Sequence, residues 1–520
     1  MQVSLRDMNN QNNRPLALII LDGWGHSDQS EGNAIALANT PFYDEISATY
    51  PKTTLAAAGN RVGLANGVAG SSEVGHLNLG AGRVVQTNPL RISEAIKSGS
   101  FFENQVLQGA FGHASNEGTS VHLVGLLSDG DVHSSSDTLF ALLRMAKNEG
   151  ISDVFVHAIL DGRDVPQRTA DIYVEALEVK MADIGVGRIA TLCGRYFAMD
   201  SRENWERTAR AFTMLVHAEG ERAFDAKAAV RNSFLRGLSD EFVAPIVLEN
   251  LVGEPVATIK EGDTVIFFNH RADTMRQLCR SVAVPDYGSL STKPRVNAVC
   301  LTEYDRSFNL PVAFEVESQS NMLTHVLGNN RIPNYRIAES DRIAHVVNFF
   351  NGGANQSSYE QHVHVPSGSS ASRDTEPELQ SFKIADQMLQ ALENDEDAVF
   401  IVNLVAADVF AESGSLEKTV EAIQYIDTCL GGIVETIRQA NGVALITSSH
   451  GHCEGMTADD DGKRNRRATT NDVPFHLVDD TAGPIMLRRD GSLQDVAPTI
   501  LGLLGLEQPP EMTGKDLRLA

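Results

Sequence analysis

A series of short apolar runs, each closed abruptly by Gly, Asp, Asn, Ser or Cys, constrains this chain more than any other feature. Leu16 to Leu21 stops at Asp22-Gly23, Val121 to Leu127 at Ser128-Asp129-Gly130, and Val154 to Leu160 at Asp161-Gly162-Arg163-Asp164. Ile189 to Leu192 stops at Cys193-Gly194-Arg195, and Thr264 to Phe268 at Asn269-His270-Arg271. Ala398 to Leu404 precedes Asp408, and Val443 to Thr447 precedes Ser449-His450. Runs this short that stay apolar without alternating read as strands buried on both faces, the pattern of a parallel sheet. Ligands of open α/β sheets collect beyond the carboxyl ends of such strands, so these loops are where chemistry is expected. Between the last two runs Leu416, Val420, Ile423, Ile426, Leu430, Ile433 and Ile437 recur at helical spacing, which completes a βαβ unit. Helical patterns over Arg202 to Ala218 and Phe382 to Leu392 separate other runs, so the predicted class is α/β.

With 520 residues the chain exceeds one ordinary core, and two domains are expected. No apolar stretch approaches the roughly 20 residues that span a bilayer, so no membrane partner is expected. Met1 to Arg14 is polar, without the apolar stretch of a secretory signal, and reads as a frayed leader. Five scattered cysteines, never in a C-x-x-C pair, argue against disulfides or structural zinc and fit a reducing cytoplasm. A formal charge of −25 repels nucleic acid, and an anionic substrate would need clustered arginines. Gln356 to Glu378 and Thr457 to Arg467 read as long surface loops, the second with a charge run that needs no role beyond solvation.

The segment Gly67 to Gly82 is rich in glycine and sets Ser72 among small residues, with Glu73 and His76 close by. Alone it would be a flexible turn before a helix. Together with other motifs it resembles the phosphoserine loop of 2,3-bisphosphoglycerate-independent phosphoglycerate mutases. Those motifs, in family order, are Ile20-Leu-Asp-Gly-Trp-Gly25, Gly125-Leu-Leu-Ser-Asp-Gly130, Leu160-Asp-Gly-Arg-Asp164, Gly194-Arg-Tyr-Phe-Ala-Met-Asp200, Phe349-Phe-Asn-Gly-Gly353, Ala497-Pro-Thr499 and Glu511-Met-Thr-Gly-Lys515. The resemblance implies an alkaline-phosphatase-like domain assembled from both chain ends, residues 1–86 and 321–520, around an inserted α/β phosphotransferase domain, 87–320. It also implies a cytoplasmic, monomeric glycolytic isomerase that interconverts 3- and 2-phosphoglycerate through a phosphoserine at Ser72.

A serine hydroxyl is a poor nucleophile near neutral pH, so a metal must activate it. The resemblance implies two Mn2+ or Mg2+ ions, one at positions matching Asp22, Ser72, Ser449 and His450, the other at positions matching Asp408, Glu412 and Ala468. Three of these depart from the family: Ser449 stands for an aspartate, Glu412 for a histidine, and Ala468 for a histidine. Asp22, Ser72, Asp408, Glu412 and His450 remain as expected ligands, with one ion or altered occupancy expected. His452 is expected to face solvent, the alternative being that it replaces a lost donor. Expected substrate contacts are His133, Arg163, Asp164, Arg195, Arg271 and Arg342, the last standing for a lysine; arginine forks suit phosphate and carboxylate. Ser201 and Thr274 stand where the family has arginines. The changes leave two further readings beside mutase activity: transfer to or from a different phosphate ester, and binding of a phosphorylated metabolite without catalysis.

Overall fold

In the computed structural model, which describes residues 14–284, 293–315, 319–353, 356–368, 376, 378–458 and 464–519, the run Leu16–Leu21 is a strand with all six residues buried. Its continuous hydrophobicity has a direct cause. Ala17, Ile19 and Leu21 enter one apolar cluster, and Leu16, Leu18 and Ile20 enter another on the opposite face. The strand pairs in parallel with Val399–Leu404 on one side and Val443–Thr447 on the other, with Leu21 opposite Leu404 and Ile20 opposite Thr447. Asp22, Val405 and Ser448 therefore leave the sheet at one level. Helix Leu416–Gln439, capped by the Ser415 side chain on Lys418 N, covers one face and buries Ile423, Ile426, Leu430, Ile433 and Ile437 in the cluster with Ile19. Each such side chain contributes about 1.5–3 kcal/mol on leaving water.

The chain divides into two compact units, Met1–Gln86 with Ser318–Ala520, and Thr87–Glu317. The first is built on an eight-stranded sheet in the order Glu360–Val365, Asn334–Glu339, Val399–Leu404, Leu16–Leu21, Val443–Thr447, Val473–Val478, Lys52–Ala56, Gly491–Ser492. Its first five strands are parallel, and Val473–Val478 runs antiparallel to both neighbours. The second unit has its own eight-stranded sheet: Val312–Phe314, Asn297–Thr302, Thr264–Phe267, Val121–Leu127, Val154–Leu160, Arg188–Gly194, Ile246–Leu248, Glu221–Ala223. It is parallel through Arg188–Gly194, against which Ile246–Leu248 lies antiparallel. All the apolar runs singled out in the sequence are strands, and they occupy the contiguous parallel centres of the two sheets.

The predicted helices form as Trp205–His217, Ser381–Asn394 and Leu416–Gln439. The expected surface loop over Gln356 to Glu378 is corrected in part. Glu360–Val365 is an edge strand, anchored by buried Glu360, which meets Arg336 at 3.4 Å and accepts from Thr324 Oγ1 and Asn351 Nδ2. Residues 369–375 and 377 of that segment lie outside the described residues, as do 459–463 of the charged loop and 1–13 of the expected leader. Arg14, the last residue of that leader, forms a two-pronged pair with Asp479 at 2.8 and 2.7 Å. The five cysteines are buried and unpaired as disulfides. Among the described residues no helix is long and apolar enough to cross a membrane.

Candidate active site and metal centre

Asp22 follows the central strand of the first unit, and its backbone N–H donates to Leu404 O at 3.1 Å. Its carboxylate is buried among imidazoles: His76 Nε2 lies 3.2 Å from Oδ1 and His345 Nδ1 3.6 Å from Oδ2. Ser449 Oγ adds a short hydrogen bond to Oδ1. Burial pushes this carboxyl up, but His76 and His345 outweigh burial and hold it well below the usual carboxylate range. Burial also pushes His76 down against the pull of Asp22. Asn403, from the neighbouring strand, places Nδ2 3.5 Å from the same nitrogen.

A second buried cluster forms around Asp408. This residue sits in the first turn of helix Ala406–Ser413, where a carboxylate suits the positive end of the helix dipole. His452 Nδ1 lies 2.7 Å and His450 Nε2 3.3 Å from Asp408 Oδ1. Burial again pushes the carboxyl up, but the two histidines prevail and hold it far below its ordinary value. His450 moves the other way: burial lowers it, yet Asp408 above all, with Asp22 and Glu454, raises it to about 9. Gly23, at φ +77°, leaves room for this carboxylate, since a Cβ there would come 2.9 Å from Asp408 Oδ1. Buried Glu454 pins the turn, accepting from the backbone N–H groups of Gly25 and His452 at 3.0 and 2.8 Å and from Asn471 Nδ2 at 3.1 Å.

The Asp22, His76, His345 group and the Asp408, His450, His452 group each present three ligating atoms within 4.8 Å of one another. Asp22 Oδ2, His76 Nδ1, His345 Nδ1 and His452 Nε2 are buried without a hydrogen-bond partner. Buried polar atoms are ordinarily paired, so their concentration here fits a bound cation. His452 is thus corrected from a solvent-facing histidine to a buried one on Asp408. Glu412 belongs to neither group; its half-exposed carboxylate faces Arg342 Nη2 at 3.5 Å, and burial followed by the Asp408 charge raises its pKa. Ala468 has no ligating atom. Sequence reasoning misses His345, Asn403 and Glu454, and assigns His76 no role. Of these, only His76 carries a signal, one helical turn after Ser72.

Ser72 opens the ten-residue helix Ser72–Ala81, whose N-cap Ser71 accepts from Val74 N at 3.3 Å. Residues four apart share a helix face, so Ser72 and His76 lie on the side that meets Asp22. The helix packs directly on the Ser449 backbone: a Cβ on Gly75 would come 2.2 Å from Ser449 O. Gly75 therefore serves close approach rather than flexibility.

In the second unit the loops after three parallel strands bring His133, Asp164 and Arg195 together. Buried Arg195 places Nη1 2.5 Å from Asp161 Oδ1 and 2.8 Å from Asp164 Oδ1, and His133 Nδ1 lies 2.6 Å from Asp164 Oδ2. Burial pushes Asp164 up, but hydrogen bonds from His133 and Arg195 keep it below its ordinary value. Arg163 stands at the surface, with Nε 2.7 Å from Glu241 Oε2. Arg271 is half-exposed and pairs with Asp273 at 3.0 Å rather than joining the buried group. Arg342 is carried by the first unit.

A hydroxyl at a helix N-terminus, carried beside carboxylates and imidazoles grouped for cations, defines the class of metal-assisted phosphoryl-transfer enzymes on an α/β scaffold. Residues 92–306 match the family model described as "BPG-independent PGAM N-terminus". The chain is 44% identical over 509 residues to the 2,3-bisphosphoglycerate-independent phosphoglycerate mutase of Desulforudis audaxviator, covering 97% of this chain and 99% of the relative. It is also 44% identical to that of Moorella thermoacetica, covering 97% and 98%. The crystal structure of Leishmania mexicana phosphoglycerate mutase at low cobalt concentration aligns with a TM-score of 0.73 at 26% identity, over 98% of each chain. This chain belongs to the 2,3-bisphosphoglycerate-independent phosphoglycerate mutases, a family of isomerases, and its α/β fold with two mixed sheets is theirs.

Proposed function

We propose that this chain interconverts 3-phosphoglycerate and 2-phosphoglycerate by passing the phosphate to Ser72 and back to glycerate. The observation that carries the reading is the position of Ser72 on the first turn of a helix whose next turn, through His76, holds the buried carboxylate of Asp22. Ser72 is 7% exposed, and no other side chain hydrogen-bonds its hydroxyl among the described residues, which leaves the oxygen open to a substrate. The positive end of the helix favours a phosphate at that oxygen. Asp22, Asp408, His450 and His452 would hold divalent cations, the Mn2+ or Mg2+ of the family resemblance, which would supply a lowered hydroxyl pKa and positive charge beside the transferring phosphoryl group. Glu412 stands close enough to Asp408 to feel its charge and is the weaker candidate ligand.

Arg163, Arg195 and Arg271, with His133 and Asp164, supply the substrate contacts of the second unit, and Arg342 supplies positive charge in the first. Arg195 is bonded to Asp161 and Asp164, so it is oriented in advance and its charge is largely balanced. The exposed Arg163 and Arg271 are the freer cations for the carboxylate and phosphate of the substrate. Buried, unbridged cysteines support a cytoplasmic location, and a monomer is the working state. The two other readings raised by the altered positions have no observation of their own in their favour. The test is intact mass and turnover on manganese-loaded protein given 3-phosphoglycerate. One phosphate added to the wild type and none to Ser72→Ala, with turnover lost in the variant, is the expected result; equal turnover by both would refute it.

A further inference from the structure

Asp408 receives two buried imidazoles on a single oxygen, and the hydrogen bonds around them determine which nitrogen of His450 faces it. Ser449 Oγ carries one proton, and an ionised Asp22 can only accept, so the hydroxyl donates to Asp22 and accepts from His450 Nδ1–H at 2.9 Å. With Nδ1 committed to Ser449, His450 has Nε2 left to face Asp408 Oδ1, 3.3 Å away. Either a proton or a metal ion can sit between that nitrogen and the carboxylate, and a metal that binds there displaces the proton.

The neighbouring ring completes the set. His452 brings Nδ1 to 2.7 Å from the same oxygen. Its main chain is fixed by N–H donation to Glu454 Oε2 at 2.8 Å, and its Nε2 is buried without a partner. The three side chains are 3–5% exposed. Glu412, by contrast, is turned to Arg342 and is 55% exposed.

We infer that Asp408, His450 and His452 form a cation site particular to this chain, in which His452 supplies the donor that Glu412 and Ala468 do not. Two imidazole nitrogens and one carboxylate oxygen suit a first-row transition dication such as Mn2+, Co2+ or Zn2+. They suit Mg2+ poorly, because it demands oxygen ligands and sheds its water reluctantly. The site deepens the metal-assisted reading above and rests on it only for the ion's purpose, not for its binding.

The test titrates the metal-free, full-length chain with Co2+, following visible absorption and calorimetry. The wild type is expected to bind an equivalent whose spectrum reports imidazole ligation and which excess Mg2+ does not displace. His452→Ala should weaken that equivalent by at least about 100-fold, since loss of a mere outer-shell partner already costs about 10- to 100-fold. His452→Cys guards against a folding artefact by giving a gain of signal: a sulfur-to-cobalt charge-transfer band in the near ultraviolet arises if side chain 452 reaches the ion. Unchanged cobalt affinity in His452→Ala, together with no such band in His452→Cys, would overturn the site and leave Asp408 served by a proton alone. Ser72→Ala separates this inference from the reaction. It should keep the His452-dependent equivalent, so absence of phosphate transfer in the wild type with that equivalent intact would strike the function and spare the site.

Discussion

Ser449 touches both buried clusters, donating to Asp22 and accepting from His450 Nδ1. Where the family resemblance implies a carboxylate, this hydroxyl removes a negative charge and provides a proton bridge in its place. Ser449→Ala leaves the His450 N–H buried without an acceptor, and an unmet buried donor costs about 1–3 kcal/mol. Urea denaturation of the metal-free protein should show a loss of that size. The same residue links the two buried clusters through one hydroxyl. Asp22 keeps two hydrogen-bonding neighbours in Ser449 and His76 with His345 3.6 Å away, and Asp408 keeps His452 at 2.7 Å and His450 at 3.3 Å. Each buried carboxylate is thereby compensated from within its own unit.

At the scale of elements, the helix Ser72–Ala81 is positioned by contact with backbone rather than by side-chain packing alone. A Cβ on Gly75 would fall 2.2 Å from Ser449 O, so Gly75→Ala must push the helix outward or shift the turn that carries His450. Overpacking of this kind costs about 1–3 kcal/mol. Ser72 and His76 would move with the helix, and a misplacement near 1 Å costs about 100-fold in rate, so kcat should fall far more than the melting temperature suggests. Steady-state kinetics alongside a thermal melt would check this. The central strands are legible in the sequence because both of their faces are covered, which leaves Leu16 to Leu21 or Val121 to Leu127 apolar throughout. Edge strand Glu360–Val365 is not legible, because Gln361, His362 and His364 are not buried and break the pattern. The antiparallel strand Val473–Val478 contains Pro474 and His476 and offers no comparable run.

Over the whole molecule, each unit folds around its own sheet, and each buries a histidine that must stay neutral. Burial lowers His476 in the first unit and His270 in the second to about 4. A histidine with a depressed folded-state pKa binds its proton more readily once unfolded, so stability is complete above the unfolded value near 6.5 and declines as pH falls toward about 4. Each shift is worth about 3 kcal/mol at its limit, on the basis of about 1.4 kcal/mol per pH unit. The two tryptophans, Trp24 and Trp205, lie one in each unit and report on them separately. Urea transitions followed by fluorescence in Trp24→Phe and Trp205→Phe should both move to lower urea as pH drops from 6.5 to 4.5. A transition that stays put would mean that the buried histidine of that unit is already charged or exposed. What the sequence by itself determined is the α/β class, the parallel centres of both sheets, the loops at their carboxyl ends and the family, because burial periodicity and contiguous motifs are properties of neighbouring residues. The tertiary structure alone decided which donors meet. Asp22, His76 and His345 converge from three distant segments, and His452 turns inward to Asp408 while Glu412 turns outward to Arg342. Those choices depend on how strands Leu16–Leu21, Val399–Leu404 and Val443–Thr447 are set in register and on which side chain wins the space beside a buried carboxylate, and neither is encoded in any single stretch of the chain.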